Sequence, residues 1–293
     1  MTCVAPFLQQ TKRPPLLSDN PTLIPIVHRF RFALISTLIL GFGLVRSNAS
    51  PVLYYSPVGN ALNAGLGASS STLFTQAVVN QFGASNVRSI ADFSNTATYS
   101  DADVLFINLR GDSDALQGQE KTNIINFINA GGAVFFIGEH NQWATWDNSF
   151  LGIYGGSVVP WGTFVQNSGK TAATPSQFTA GGFNGIAVSN PGGISGGTGI
   201  PIYMGAVNPL AEMYGPSNNA IAFMDTLALS NSNSNQSFFY GNLASWLYVT
   251  GSAYETSQAN NGGGGSSVPD SGAGLALAGT VLVMGAVRAS RRR

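Results

Sequence analysis

The sequence predicts an α/β fold for residues 50–251: an open, mostly parallel sheet flanked by helices, with a β- and loop-rich insertion late in the chain. Three observations carry this. Short apolar runs alternate with longer amphipathic segments. Several runs are apolar without interruption, as in strands covered on both faces. The links between them are short and rich in Gly and Asn, which favours right-handed β-α-β crossovers.

The elements follow in order. VLYY (52–55) is a short strand ending in a Pro/Gly/Asn loop. SSTLFTQAVVNQFG (70–83) has a serine cap, places Leu73, Ala77 and Val78 on one helical face and stops at Gly83. NVRSI (86–90) is a second short strand, and DVLFI (103–107) a continuous apolar one. In GDSDALQGQEKTNIINFINAGG, Ser113 or Asp114 caps a helix whose buried side takes Leu116, Lys121, Ile124, Ile125 and Ile128, with Gly131 and Gly132 at its end. AVFFIG (133–138) follows at once as another buried strand. Residues 154–216 are Gly-, Ser- and Thr-rich, with β-like pieces GIAV (185–188) and IPIYMG (200–205). AIAFMD (220–225) returns as a strand, and FFYGNLASWLY closes the domain as a helix with Phe239, Leu243, Trp246 and Leu247 at helical spacing.

Composition narrows the function classes. Of 293 residues, 44% are hydrophobic and only 9% charged, enough for a sizeable core. The formal charge of zero hides an asymmetry, because the basic residues gather at the two ends. Between residues 50 and 260 four basic side chains face eleven acidic ones, a net charge of −7. A body of that sign offers no basic stripe to phosphates, so nucleic acid is not an expected partner. The single cysteine, Cys3, lies far upstream of the body, which therefore holds no disulfide, cysteine nucleophile or thiolate metal site.

Two apolar segments stand outside the predicted domain. HRFR (28–31) precedes an apolar run at 32–45, then Arg46, Ser47, Asn48 and Ala49. Basic residues, a short apolar core and small residues three apart fit a secretory signal, so that residues 1–49 read as an N-terminal extension and signal peptide, cleaved after Ala49 and handled by Sec-type export machinery; a buried core helix or a membrane anchor is the alternative. At the other end a Gly/Ser linker (252–267) leads to Val268, Pro269, Asp270, Ser271 and Gly272, an apolar run at 273–287, and Arg288, Arg291, Arg292 and Arg293. The run has the length to cross most of a bilayer, and the arginines hold its end on the cytoplasmic side.

Pentapeptide, apolar run and basic terminus in that order, over residues 268–293, resemble the VPDSG type of the PEP-CTERM sorting tail. The resemblance implies a bacterial protein that is exported, held briefly in the membrane, cut near the motif by an exosortase-type membrane protease and released or attached outside. A plain C-terminal anchor is the alternative. Extracellular polysaccharide is a candidate partner under the first reading.

A second resemblance covers most of residues 52–247. ADVLFINLR, a polar helix ending FINAGG, AVFFIGEHN and a final NLASWL helix are similar to the class I glutamine amidotransferase-like fold, a flavodoxin-like group that includes the trehalose-utilisation type of protein. In active amidotransferases the turn after the strand matching 133–137 carries a cysteine nucleophile activated by histidine. Here that turn is Gly138-Glu139-His140-Asn141, so amidotransferase chemistry is not carried over.

Strand ends in open α/β sheets are where ligands sit, which makes Glu139, His140 and Asn141 the candidate site, with Asp112 and Asp225 at neighbouring strand ends. Three chemistries compete there. Glu139 and His140 with an Asp are hard and borderline metal ligands, but adjacent residues without HxH or HExxH spacing make a poor set, and no metal or cofactor is expected. His140 as general base with Glu139, or Glu139 paired with Asp112 or Asp225, would suit an extracellular hydrolase. Alternatively Glu139 accepts backbone N–H groups, with His140 and Asn141 as turn and cap residues. Trp143 and Trp146, three apart, share one helical side, which suits packing; with Trp161 exposed, all three would suit sugar stacking. The Ser-centred GISGG lacks the strand and helix of a hydrolase elbow. The expectation is a noncatalytic binding or structural component.

Overall fold

A computed structural model describes residues 50–59, 63–159, 167–182, 185–188, 191–205, 207–231 and 237–262. The expected signal segment with Ala49, Trp161, the glycine linker beyond residue 262 and the tail with Val268, Pro269, Asp270, Ser271 and Gly272 lie outside the described residues. Among the described residues no helix is long and apolar enough to cross a membrane.

The first strands and helices appear where the apolar runs place them: β1 (Leu53–Tyr55), α1 (Thr72–Phe82), β2 (Val87–Ser89), β3 (Val104–Ile107), α2 (Gly118–Asn129) and β4 (Ala133–Ile137). A short helix α3 (Ala144–Leu151) follows. The insertion then adds β5 (Gly156–Val159), β6 (Asn167–Lys170), β7 (Gly185–Ala187), β8 (Gly193–Gly196), β9 (Ile200–Met204) and β10 (Pro209–Tyr214). Strand β11 (Ala220–Phe223) and a long helix α4 (Ser237–Gly262) complete the domain.

One sheet has the order β2-β1-β3-β4-β11-β10-β9-β6-β7, and β5 pairs with β8 in a separate antiparallel ribbon. The pairings from β2 through β11 are parallel, and those from β11 through β7 are antiparallel. The result is an α/β domain whose parallel half carries helices on both faces and whose antiparallel half is built by the insertion.

Aromatic side chains mark the two faces, because successive strand residues point to opposite sides. Phe106, Phe135 and Phe223 stack across β3, β4 and β11 at centroid spacings of 5.1 and 6.1 Å. They meet Phe74 of α1 at 5.6 Å and Phe239 of α4 at 5.4 Å. Phe136 faces the other way, 5.3 Å from Trp146 and 4.5 Å from Phe150 of α3. Both faces of β4 are thus dry, which explains its unbroken apolar sequence.

Several boundaries and faces differ from expectation. The buried face of α1 is Phe74, Val78 and Phe82, while Leu73 is 58% exposed, because aromatic contacts with Phe106 and Tyr240 set the helix phase. Ser71 does not cap α1; its hydroxyl accepts from Gly65 N, and the Leu73 N–H is taken by Asn231 Oδ1 at 2.9 Å. In α2 the buried side is Glu120, Asn123, Ile124 and Ile128; Lys121 and Ile125 are half-buried, and Asp114 accepts from Gly111 N instead of capping. Helix α4 continues through 252–262, past the domain end expected at residue 251. Gly251 there is a packing glycine: a Cβ on it would lie 2.6 Å from Val104 Cγ2.

Candidate functional site

The carboxyl ends of β1, β3, β4 and β11 form the sheet edge where a ligand is expected, and each is closed by buried polar side chains. At β3, Asn108 is wholly buried and uses its entire amide: Nδ2 donates to the Ser56 and Leu66 carbonyls at 2.6 and 2.9 Å, and Oδ1 accepts from Leu66 N at 2.9 Å. Its own N–H donates to Ser56 Oγ at 3.0 Å, tying β3 to β1. Gly65, with φ of +143°, is needed where a side chain would overlap that amide.

At β4 the chain turns through Gly138, whose N–H donates to the Phe223 carbonyl at 2.8 Å. Glu139 is only 2% exposed. Its Oε2 accepts from Thr226 N at 2.9 Å and from Thr226 Oγ1 at 2.6 Å, so the carboxylate crosses to the end of β11. Burial pushes the Glu139 carboxyl up to about 7, against the two Thr226 hydrogen bonds, which favour the charged form. Below it, Asp147 of α3 is fully buried and its Oδ1 accepts from Glu139 N at 3.1 Å. Burial holds the Asp147 carboxyl well above the usual range, and the Glu139 charge adds to this. Asp147 Oδ2 has no hydrogen-bond partner among the described residues.

The backbone of Gly192 lies against that of Glu139. Its N–H donates to the Met224 carbonyl at 3.0 Å, and a Cβ there would overlap the Glu139 carbonyl oxygen. Only glycine lets this loop lie so close over Glu139.

His140 is turned to a different task. Its Nδ1 accepts from Gln142 N at 3.3 Å, capping the single turn Asn141–Trp143, and its ring meets Trp143 edge-on at 4.9 Å. Partial burial lowers its pKa and favours the neutral imidazole that this acceptance requires. Asn141 is exposed in that turn. Asp225 is wholly buried and caps the turn Thr226–Leu229 by accepting from Leu227 N at 2.7 Å and Ala228 N at 3.3 Å. Asp112 is exposed in the loop after β3.

The geometry therefore joins Glu139 to Thr226 and Asp147, two residues the sequence reading did not single out, and gives His140 and Asp225 separate capping roles. Trp146 is buried and donates from Nε1 to the Ile137 carbonyl at 3.0 Å, so it packs and braces β4. Arg110 lies over the Trp146 ring at 5.2 Å and pairs with Glu120, whose Oε1 also accepts from Phe93 N at 3.1 Å. Nothing in the local sequence marks Asp147 as a partner of Glu139; its one signal is a charged residue on the apolar face of a short helix. Among the described residues no group of three His, Cys, Asp or Glu side chains is placed to hold a metal ion.

No protein-family model and no curated protein sequence matches the chain. Among solved structures it is similar to the mmIFT52 N-terminal domain, with a TM-score of 0.50 at 12% identity, covering 68% of this chain and 97% of that one. Two further likenesses are alpha-L-fucosidase isoenzyme 2 from Paenibacillus thiaminolyticus and a ThuA-like protein from Bacteroides uniformis. The fucosidase gives a TM-score of 0.46 at 11% identity over 75% of this chain and 35% of that one. The ThuA-like protein gives 0.37 at 12% over 70% and 94%. At such identities the likeness to the mmIFT52 domain is one of α/β fold alone.

Proposed function

We propose that this chain is an exported bacterial envelope or extracellular-matrix-associated protein, processed by an exosortase-type protease, whose body is a noncatalytic binding or structural component. The address rests on the tail: Val268 through Gly272 followed by an apolar run and a basic terminus. The noncatalytic character rests on one observation, the Glu139 carboxylate spent on Thr226 at 2% exposure. Export by Sec-type machinery and attachment to extracellular polysaccharide belong to the same proposal. The strand order β2-β1-β3-β4-β11 is that of flavodoxin-like sheets, and it supports placing the body in the flavodoxin-like, amidotransferase-like group.

The address is tested by fractionating the producing cells and weighing the mature protein, with and without Pro269→Ala and Asp270→Ala. The expected result is a mature species outside the cytoplasm that lacks the tail, and its accumulation uncut when the motif is altered. Unchanged processing in the altered protein overturns the sorting assignment.

The alternative reading, an extracellular hydrolase using Glu139 and His140, draws on the raised Glu139 carboxyl, the property of a general acid. Glu139→Gln decides it. A hydrolase active on polysaccharide or peptide would lose its activity, whereas a noncatalytic body retains its ligand binding.

A further inference from the structure

The opposite end of the parallel strands is built differently. A cleft of about 240 Å³ opens there between the loop before β3, the end of α2 and the last turns of α4. Thr96, Tyr99, Ser100, Asn123, Asn126, Phe127 and Tyr254 carry its chemistry. None of these lining side chains is charged, though the charge of the buried Asp103 carboxylate is felt at the Tyr254 hydroxyl.

Its polar groups divide into two sets. Tyr99 and Asn123 are buried and spent: Tyr99 Oη donates to the Phe93 carbonyl at 3.0 Å, and Asn123 Nδ2 donates to the Phe93 and Ser94 carbonyls at 2.9 Å each. These fix the floor. Thr96, Ser100 and Asn126 are exposed at the rim, and among the described residues no hydrogen bond occupies their side chains or the Tyr254 hydroxyl. Four neutral groups that both donate and accept thus face one opening.

The wall is aromatic. Phe127 and Tyr254 meet edge to face at 5.3 Å and 63°, both half-buried. Gly132 at the end of α2 makes room for Phe127, since a Cβ on it would overlap the ring, while Gly131 is set by its backbone φ of +99°. Gly132, expected only to end a helix, also shapes this wall.

Neutral hydroxyl and amide groups around exposed ring surface are complementary to a ligand dense in hydroxyls with apolar C–H faces. We infer that this cleft binds one ring of a neutral carbohydrate, its hydroxyls bonding Thr96, Ser100, Asn126 and Tyr254 and its C–H face lying on Phe127 and Tyr254. The volume is below the roughly 300–1,000 Å³ of pockets for drug-sized ligands, which limits the buried part to a single ring while the open side lets a chain continue. The inference names a ligand class for the proposed binding component, and it rests on the export reading only for where the sugar is met.

The test uses the full chain in a polyoxyethylene detergent, which carries no sugar headgroup, with glucose, mannose and N-acetylglucosamine and their neutral tetrasaccharides as probes. Ligand-observed NMR is expected to show saturation transfer to the C–H protons of at least one probe. Asn126→Ala should weaken that binding about five-fold, the worth of one net hydrogen bond, and Tyr254→Phe should do so by a similar factor with the fold unchanged. Stronger binding of a tetrasaccharide than of its monosaccharide identifies a polymer as ligand; equal binding identifies a free sugar. No transfer from any probe at ten-millimolar order, or transfer untouched by Asn126→Ala and Tyr254→Phe, overturns the inference. Cytoplasmic retention would overturn the export reading while leaving this measurement intact.

Discussion

The two ends of the parallel strands use similar residue types to opposite ends. At the carboxyl edge Ser56, Asn108, Glu139, Asp225 and Thr226 are buried, with hydrogen bonds that tie neighbouring strand ends to one another or cap the turn that follows. At the amino edge Thr96, Ser100 and Asn126 have side chains that no described residue hydrogen-bonds, around an aromatic wall. The difference teaches that topology marks a place where a ligand can sit, while the spending of polar groups decides whether one does. An edge whose buried side chains mostly bond to one another contributes rigidity; one whose groups remain open contributes recognition.

Forcing the closed edge apart has the largest expected effect. Gly192→Ala sets a methyl group against the Glu139 carbonyl, a backbone atom that cannot swing aside. The expected loss is about 3 kcal/mol, at the upper end of overpacking effects, read as a lower denaturant midpoint with the slope unchanged. Glu139→Ala comes next. It strands the Thr226 N–H and hydroxyl without their acceptor, at a cost of about 2 kcal/mol, part of the penalty being offset because a buried charge also disappears. If either variant matched the native midpoint, the edge would be open to solvent and the contrast would fail.

Protonation sharpens the same contrast. Burial raises the Glu139 carboxyl from 4.5 to about 7 and raises Asp147 as well, so the folded chain holds protons that the unfolded chain has released. For acids shifted upward, their contribution is fully present below the unfolded value and is lost as pH climbs from there through the folded one. Stability is therefore expected to fall between about pH 4.5 and 7. Asp147→Asn keeps an oxygen for Glu139 N and should flatten that fall, as measured by thermal unfolding across the interval. A steeper fall in the variant would mean that another group governs the pH response.

The parallel half was legible because each strand there is an apolar run with a single reading: DVLFI, AVFFIG and AIAFMD appear as β3, β4 and β11. Elsewhere local pattern was ambiguous and distant packing decided. Thr72–Phe82 contains two apolar stripes, and only contacts with Phe106 and Tyr240, far along the chain, select the one through Phe74. Gly251 has the look of a stop and is a point of close approach to Val104. Strand β10 was missed because Glu212 interrupts it; the side chain is tolerated since its Oε2 accepts from Tyr214 Oη at 2.6 Å. Of the candidate site, the sheet edge was legible, and the closure was not, since Thr226 lies 87 residues from Glu139.

The finest form of the comparison lies within α2, where two asparagines sit three residues apart. Asn123 is 7% exposed and anchors the Phe93 and Ser94 carbonyls; Asn126 faces the cleft mouth. Asn123→Ala removes the Ser94 carbonyl's side-chain donor and leaves the Phe93 carbonyl with Tyr99 Oη alone, and should cost about 1–2 kcal/mol. Asn126→Ala removes no side-chain hydrogen bond to the described residues and should change stability by less than about 0.5 kcal/mol. The same chemical truncation, one helical turn apart, then separates a group that holds the fold from one held ready by it. Equal losses in chemical unfolding would show that Asn126 is already engaged by the protein, and the amino edge would be as closed as the carboxyl one.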